Sequence, residues 1–284
     1  MLKTRLEEAL GAKVEVIGSL PVGFGLTGLK VRLADGRTLA VKARSGSGGA
    51  SLELEAYMLR ELARRSELPI PHVHFASSDL LVMDFIETDG GGIDASVERH
   101  AAALIAALHA TPRASFGYAR DTLIGPLPQS NPENASWIPF FRDHRLMAMA
   151  NASHAEGALP AAFLSRLEHL ADRLDDYLIE PPFPSLLHGD LWGGNVLVSG
   201  GRVAGFVDPA ISCGHPEIEL AFTTMFGTFG RAFFDAYGAT RPVEPGFHET
   251  RCALYNLYPT LVHVRLFGAA YLARIERTLV KLGL

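Results

Sequence analysis

The chain has 284 residues, 48% of them hydrophobic, which is enough for a large core in one domain or two lobes. Its net charge is −5, from 26 basic and 31 acidic side chains with no Lys/Arg run, which argues against nucleic acid as a partner. No apolar stretch reaches membrane-spanning length, and the two cysteines, Cys213 and Cys252, share no CxxC spacing, so no membrane is expected and a reduced, cytoplasmic protein is.

The opening MLKTRLEEAL predicts a short amphipathic helix rather than a signal peptide, with Thr4 and Glu7 at capping-box spacing. Lys13 to Gly18 is a strand candidate. Gly23, Gly25 and Gly28 then spell G-x-G-x-x-G. In a dinucleotide-binding fold that motif opens a helix after a strand, but here Leu29 to Leu33 reads as another strand. Gly23 and Gly25 are therefore read as a flexible strand-turn-strand whose N–H groups approach phosphates; an ordinary glycine-rich hairpin is the alternative. Asp35-Gly36 signals a hairpin turn, and Thr38 to Ala43 is the next strand. It carries Lys42, either a solvated side chain or the partner of a carboxylate on the following helix. That helix is predicted over 50–65 from Leu52, Ala56, Leu59 and Leu62/Ala63, after the short Gly/Ser stretch 45–49. Glu55 is the preferred partner of Lys42 and Glu53 the rival.

Pro69 and Pro71 stop the helix. Val73 to Ala76 and Leu80 to Met83 complete a five-stranded antiparallel sheet, with Ser78-Asp79 as a turn. Met83, Asp84 and Phe85 lead out of it and offer backbone groups to a nucleotide base; a plain strand end is the other reading. Beyond Gly90-Gly91-Gly92 the periodicity is helical over 94–110, 137–151, 158–178, 217–226, 230–238 and about 247–282, the last broken near Pro259. The fold class is α+β with two lobes: residues 1–87 form the N-terminal sheet with one helix, and residues 88–284 a mostly helical C-terminal lobe. A ligand cleft is expected between them.

The chemistry concentrates in His188-Gly189-Asp190-Leu191-Trp192-Gly193-Gly194-Asn195, followed by Asp208-Pro209-Ala210. Phosphoryl transfer needs a carboxylate to accept a hydroxyl proton and oxygen ligands to hold a divalent cation, and an Asp-x-x-x-x-Asn loop followed by a second Asp supplies both. Val196-Leu197-Val198, the turn Ser199-Gly200-Gly201 and Val203 to Val207 predict a hairpin that folds Asp208 back beside Asn195. Asp190 is the candidate catalytic base, and Asn195 and Asp208 are candidate Mg²⁺ ligands. The bland alternative is two ordinary turns. Trp192 either stacks on a substrate or packs beneath the loop. Trp137, with Phe140 and Phe141, either walls a substrate pocket or belongs to the core. His188 is read as a loop-structuring residue, Glu217 and Glu219 as acids that begin a helix, His109 as a packing or capping residue, and Cys213 as a buried small hydrophobe.

These residues resemble the fructosamine kinase (ketosamine 3-kinase) family, within the protein-kinase-like and aminoglycoside-phosphotransferase-like group. The resemblance rests on HGDLWGGN with Asp208-Pro209-Ala210, and on Gly214-His215-Pro216-Glu217-Ile218-Glu219-Leu220-Ala221 with Met225-Phe226-Gly227. It rests equally on Phe116-Gly117, Ile124-Gly125, Gln129-Ser130-Asn131 and Trp137 with Phe140-Phe141-Arg142 and Arg145-Leu146, and on Glu53-Leu54-Glu55 with Leu59 and Leu81-Val82-Met83. It covers the chain from about residue 15 onward. It implies a protein-kinase-like fold and ATP-dependent phosphorylation of the 3-hydroxyl of ketosamines, free or protein-bound, in deglycation and protein repair. It further implies Asp190 as base, Asn195 and Asp208 on Mg²⁺, and Lys42 with Glu55 positioning the phosphates. Gly23-Phe24-Gly25-Leu26 departs from the Gly-Gly start of the family, and the loop lacks the cysteine that links some members into redox-sensitive dimers. The alternatives are a kinase of another small hydroxyl substrate, aminoglycoside- or choline-like, and an inactive nucleotide-binding scaffold. The presence of Lys42, Asp190 and Asp208 disfavours the scaffold. The preferred ketosamine and the oligomeric state stay open.

Overall fold

The computed structural model describes residues 2–45 and 49–284. Part of the predicted Gly/Ser stretch therefore lies outside the described residues.

The N-terminal part begins with α1 (Leu2–Leu10), then β1 (Val14–Leu20), β2 (Leu26–Leu33), β3 (Thr38–Arg44), α2 (Leu52–Arg65), β4 (Val73–Ala76) and β5 (Leu80–Asp84). The strands form one antiparallel sheet in the order β1-β2-β3-β5-β4. Its central strand β3 is buried on both faces, and the two-residue period sorts its side chains. Leu39, Val41 and Ala43 pack with Leu6 of α1, Val14 and Val31. Ala40 packs on the other face, against Leu52, Ala56 and Leu59 of α2. Lys42 shares that second face, so its side chain points at α2 and not into solvent. Ser51 caps α2 by accepting from the Glu53 N–H at 3.2 Å. Thr4 lies inside α1 and so cannot cap it; Glu7 instead accepts from the Val14 N–H at 3.2 Å.

The C-terminal part contains α3 (Ala95–Ala110), the hairpin β6 (Thr122–Ile124) and β7 (Leu127–Gln129), α4 (Trp137–Phe141), α5 (Met147–Ala155) and α6 (Ala161–Ala171). Next come β8 (Ser185–Leu187), β9 (Val196–Ser199), β10 (Arg202–Phe206), β11 (Ser212–Gly214), α7 (Pro216–Met225), α8 (Arg231–Thr240), α9 (Cys252–Tyr255), α10 (Leu257–Phe267) and α11 (Leu272–Lys281). Strand β9 pairs with β10, and β8 with β11, both antiparallel. One apolar cluster runs through this part, with Trp137, Phe140, Phe141, Phe206, Phe233 and Tyr255 fully buried in it.

Two expectations about helices are refined. The segment 137–155 is α-helix interrupted by a π-helical turn at Arg142–Leu146. The last helical run breaks at Asn256, between α9 and α10 and close to Pro259 as expected, and it breaks a second time at Gly268, which has φ 81°. Pro259 sits in the first turn of α10, where its missing N–H has no partner to lose. Among the described residues no helix is long and apolar enough to cross a membrane. Cys213 is buried, and both cysteines are free. Burial pushes the Cys213 thiol up to about 11, which makes it a poor nucleophile.

Candidate active site

Strand β8 delivers the chain into the loop 188–195, and the β9–β10 hairpin returns it to Asp208 beside that loop. Gly189 has φ 86°, and a Cβ there would lie 2.1 Å from the Ala210 carbonyl oxygen. Only glycine lets the two segments meet this closely. The Ala210 N–H donates to the His188 carbonyl at 2.7 Å, and the Val207 N–H to the Asn195 carbonyl at 3.1 Å. His188 is buried, and its Nδ1 accepts from the Asp190 N–H at 3.3 Å, which fits its reading as a structural residue.

Asn195 Nδ2 donates to the Asp190 carbonyl at 2.9 Å and to the Asp190 carboxylate at 3.0 Å. With its amide nitrogen committed inward, Asn195 keeps its oxygen for the cleft. Asp208 has φ 53°, a left-handed backbone uncommon outside glycine. Its carboxylate meets Lys42 Nζ, which also donates to Glu55 at 2.7 Å. Glu55, not Glu53, is therefore the partner of Lys42. Burial works against the Lys42 charge, but the Glu55 and Asp208 carboxylates more than offset it and hold the ammonium above its ordinary pKa. The Asp190 carboxyl is pushed up to about 7, first by burial and then by the charge of Asp208. A carboxylate tuned to that range is suited to taking up a proton near neutral pH.

Two chambers open on this cluster. One, of about 230 Å³, is lined by Gly23, Lys42, Glu55, Asn195 and Asp208. The other, of about 750 Å³, is walled by aromatic and aliphatic side chains. Gly23 and Gly25 lie at the β1–β2 tip, where the Leu26 N–H donates to the Gly23 carbonyl at 3.2 Å. Gly23 borders the smaller chamber; Gly25, with φ 70°, serves the turn itself. Trp192 is 44% exposed and lines both chambers, so it does not pack beneath the loop. Trp137 does not wall a pocket. It is fully buried and donates from Nε1 to the Tyr255 hydroxyl at 2.9 Å, so the substrate-contact expectation for it is corrected.

The strand end needs a correction too. The Asp84 N–H donates to the His72 carbonyl at 2.9 Å and the Phe85 N–H to the Thr38 carbonyl at 3.2 Å. Neither amide is free for a base, and the Asp84 carboxylate is bonded to His74 Nε2 at 2.6 Å. Met83 is buried in β5. The carbonyl of Asp84 and the N–H of Ile86 have no hydrogen-bond partner among the described residues. Residue types carry no signal for this, because the sheet register decides which amides are spent.

Buried support around the loop is denser than the sequence suggested. Glu219, far from merely starting α7, accepts from the Gly189 N–H at 2.5 Å and bonds His109 Nε2 at 2.9 Å. Burial pushes its pKa up, but hydrogen bonds from His109 and the Gly189 N–H prevail and hold it below the usual range. Gln129 donates to the Ala210 carbonyl at 3.1 Å and accepts from the Tyr258 hydroxyl at 2.8 Å. Asn131 receives Arg145 at 2.6 Å. The Gln129–Asn131 segment thus buttresses the chain just after Asp208.

The model of the fructosamine kinase family matches residues 2–283. The chain belongs to the fructosamine kinase family. It is 35% identical over 249 residues to a probable ketoamine kinase of Synechocystis, covering 84% of this chain and 81% of that one. It is 31% identical over 278 residues to the chloroplastic protein-ribulosamine 3-kinase of Arabidopsis thaliana, covering 94% and 82%. A crystal structure from Thermobifida fusca, assigned as a fructosamine-3-kinase, superposes with a TM-score of 0.86 at 31% identity, covering 99% of this chain and 97% of that one. The family accounts for the fold: a five-stranded antiparallel sheet over a mostly helical part, with Lys42 reaching across to Asp208.

Proposed function

We infer that this chain is an ATP-dependent kinase that phosphorylates the 3-hydroxyl of a ketosamine, the sugar–amine adduct left by glycation. The observation that carries this is the meeting of Lys42–Glu55 from the sheet with Asp190, Asn195 and Asp208 from the loop and hairpin. The names of the related proteins, ketoamine kinase and protein-ribulosamine 3-kinase, support the acceptor.

In this reading residues 1–87 are the nucleotide lobe and 88–284 the catalytic and acceptor lobe. Met83 flanks the base, while the Asp84 carbonyl and the Ile86 N–H bind its edge. The N–H groups around Gly23 and Gly25 approach the phosphates, and Lys42, held by Glu55, fixes the α- and β-phosphates in register. Asn195 and Asp208 offer hard oxygen donors that fit Mg²⁺ and would hold it; bound there, it would supply neutralisation of charge developing on the transferring phosphoryl group. Asp190 accepts the proton of the 3-hydroxyl as that oxygen bonds to the γ-phosphorus and the bond to the ADP oxygen breaks. Trp192 borders the acceptor. Positioning and electrostatics supply most of the rate. Two free cysteines fit a reducing, cytoplasmic setting.

The test is ATP consumption with Mg²⁺ on a ribulosamine, a fructosamine and the unglycated parent amine, beside the Asp190→Ala protein. Turnover on a ketosamine, lost in the variant and absent with the amine, supports the reading. Mg·ATP binding without turnover of any ketosamine moves the acceptor to another hydroxyl compound.

A further inference from the structure

The two chambers share a wall made by Phe24, Gly125, Asp190 and Trp192. Lysine and acidic side chains line the smaller chamber. In the larger one Asp190 is the single charged side chain among the described lining residues, and Phe24, Trp192, Phe226, Phe267 and Tyr271 supply its aromatic walls. Among the described residues, neither lysine nor arginine lines it. His263 does, and burial lowers its pKa, which favours the neutral ring.

Phe24 joins the lobes across that chamber. It sits at the β1–β2 tip with φ 57°, a left-handed conformation disfavoured for a bulky side chain. The residue is 48% exposed. It stacks on Phe267 at the end of α10, with centroids 6.4 Å apart and planes 30° apart. It also crosses the turn at Gly125, where a Cβ would lie 3.6 Å from the ring. Phosphate groups gain nothing from a phenyl ring, so the contact points to the acceptor side.

The chemistry of the acceptor, which rests on the function proposed above, gives the chamber an occupant. A ketosamine bears its amine on C1 and the reacting hydroxyl on C3. With the hydroxyl at Asp190, the amine and its substituent lie close by, in the aromatic chamber. We propose that Phe24 is a specificity-determining residue that closes this chamber over the amine-borne part of the substrate. The chamber takes ketosamines of apolar amines and rejects those of free amino acids. Aromatic faces attract the secondary ammonium and pack an apolar substituent. A carboxylate carried on the amine would lie against these aromatic faces and near the Asp190 carboxylate, with neither lysine nor arginine among the described lining residues to receive it.

The experiment compares two acceptors built on one ketose, its phenethylamine and its glycine derivative, with wild type, Phe24→Ala and Phe24→Leu, varying ATP and acceptor separately. Wild type should favour the phenethylamine derivative at least about tenfold in kcat/KM, and Phe24→Ala should cut that preference by about tenfold, or about 1.4 kcal/mol. The loss should appear in the acceptor KM, with Phe24→Leu between the two. A wild-type preference for the glycine derivative overturns the proposal, as does an unchanged ratio in Phe24→Ala or a larger change in the KM for ATP than for the acceptor. Phenethylammonium ion, added without nucleotide, separates this proposal from the kinase reading. Quenching of Trp192 emission in wild type and its weakening in Phe24→Ala, with no ketosamine turned over, would keep the aromatic chamber and remove the ketosamine. Absence of quenching overturns the chamber.

Discussion

The carboxylate of Glu219 accepts the Gly189 N–H at 2.5 Å, one residue before Asp190, while its other oxygen is bonded to His109. Helix α7 therefore holds the loop 188–195 by its backbone. His109 is in turn fixed by the Tyr237 hydroxyl at 2.9 Å.

Replacing Glu219 should act on position rather than on proton transfer. Glu219→Ala leaves the Gly189 N–H and His109 unpaired in a buried site, two unsatisfied polar groups at a cost of about 2–6 kcal/mol together. Glu219→Gln keeps an acceptor for Gly189, and a change of His109 tautomer can satisfy the rest, so about 1–2 kcal/mol is expected. Turnover should fall in the same order, and in the Gln variant, which removes a charge that helps raise the Asp190 pKa, the pH limb should move to lower pH. Thermal unfolding and pH-dependent kinetics check both. Equal stability of the two variants would remove the positioning role.

The role proposed for Asp190 ties activity to pH. Its carboxyl is pushed up to about 7 by burial and by Asp208, and in the proposed reaction it must be ionised to work. kcat/KM should therefore rise with pH through about 7 and level off above. In the nucleotide complex a cation on Asp208 would cancel one of these influences, so the limb in kcat should lie at lower pH than the limb in kcat/KM. An identical limb in both would separate Asp208 from the tuning.

The same shift predicts an effect on stability. The folded state holds the Asp190 proton more tightly than the unfolded chain does, so stability falls as pH rises from about 4 to about 7, and the full penalty persists above. Asp190→Asn should abolish turnover yet raise Tm at pH 8 by roughly 2–6 °C. The gain should vanish near pH 4, where the wild-type carboxyl is protonated in both states. Calorimetry at the two pH values decides it; a gain independent of pH would assign the effect to something other than ionisation.

What the sequence made legible follows from the range of each signal. The apolar run after the Asp35-Gly36 turn put Lys42 on a strand, and the short hairpin between Asn195 and Asp208 made their meeting a local matter, as the antiparallel pairing of β9 with β10 bears out. Glu55 and Lys42 were likewise close in sequence, and α2 covers the sheet face that carries Lys42. Trp137 was harder. Aromatic residues at helical spacing look alike whether they face a pocket or a core, and only the Tyr255 hydroxyl, 118 positions away, fixes which. The same holds for Glu219. A carboxylate at the start of a helix normally meets solvent and the helix dipole, and its burial against Gly189 and His109 depends on contacts no local pattern encodes. The spent amides of Asp84 and Phe85 depend on the register of three strands.

Lys42 is held between two carboxylates, and its two partners should separate on mutation. Glu55→Gln keeps a hydrogen bond but loses the charge that orients the ammonium, so the KM for ATP should rise about tenfold with a smaller change in kcat. Lys42→Met removes the cation shared by Glu55 and Asp208, and kcat/KM for ATP should fall by about 10²–10³. If Lys42→Met and Glu55→Gln lowered kcat/KM equally, the ion pair would be the functional unit and not the lysine.

Glu217 gives the last test, because it begins the same helix as Glu219 and serves only the fold. Both its oxygens receive Arg251 at 2.6 Å, and that guanidinium also donates to the Pro245 and Glu244 carbonyls at 2.9 Å. The pair is almost wholly buried, with side-chain exposures of 6% and 4%. Arg251→Met strands the Glu217 charge and should cost about 3–5 kcal/mol, whereas a double change to Met at 251 and Leu at 217 removes both charges and should recover much of it. Kinetic constants of the folded fraction should stay near wild type in both, since neither residue lines either chamber. Denaturant melts give the two stabilities. A double variant no more stable than the single one would mean that the arginine acts through the loop carbonyls of Glu244 and Pro245, tying 244–245 to α7, rather than through the charge of Glu217.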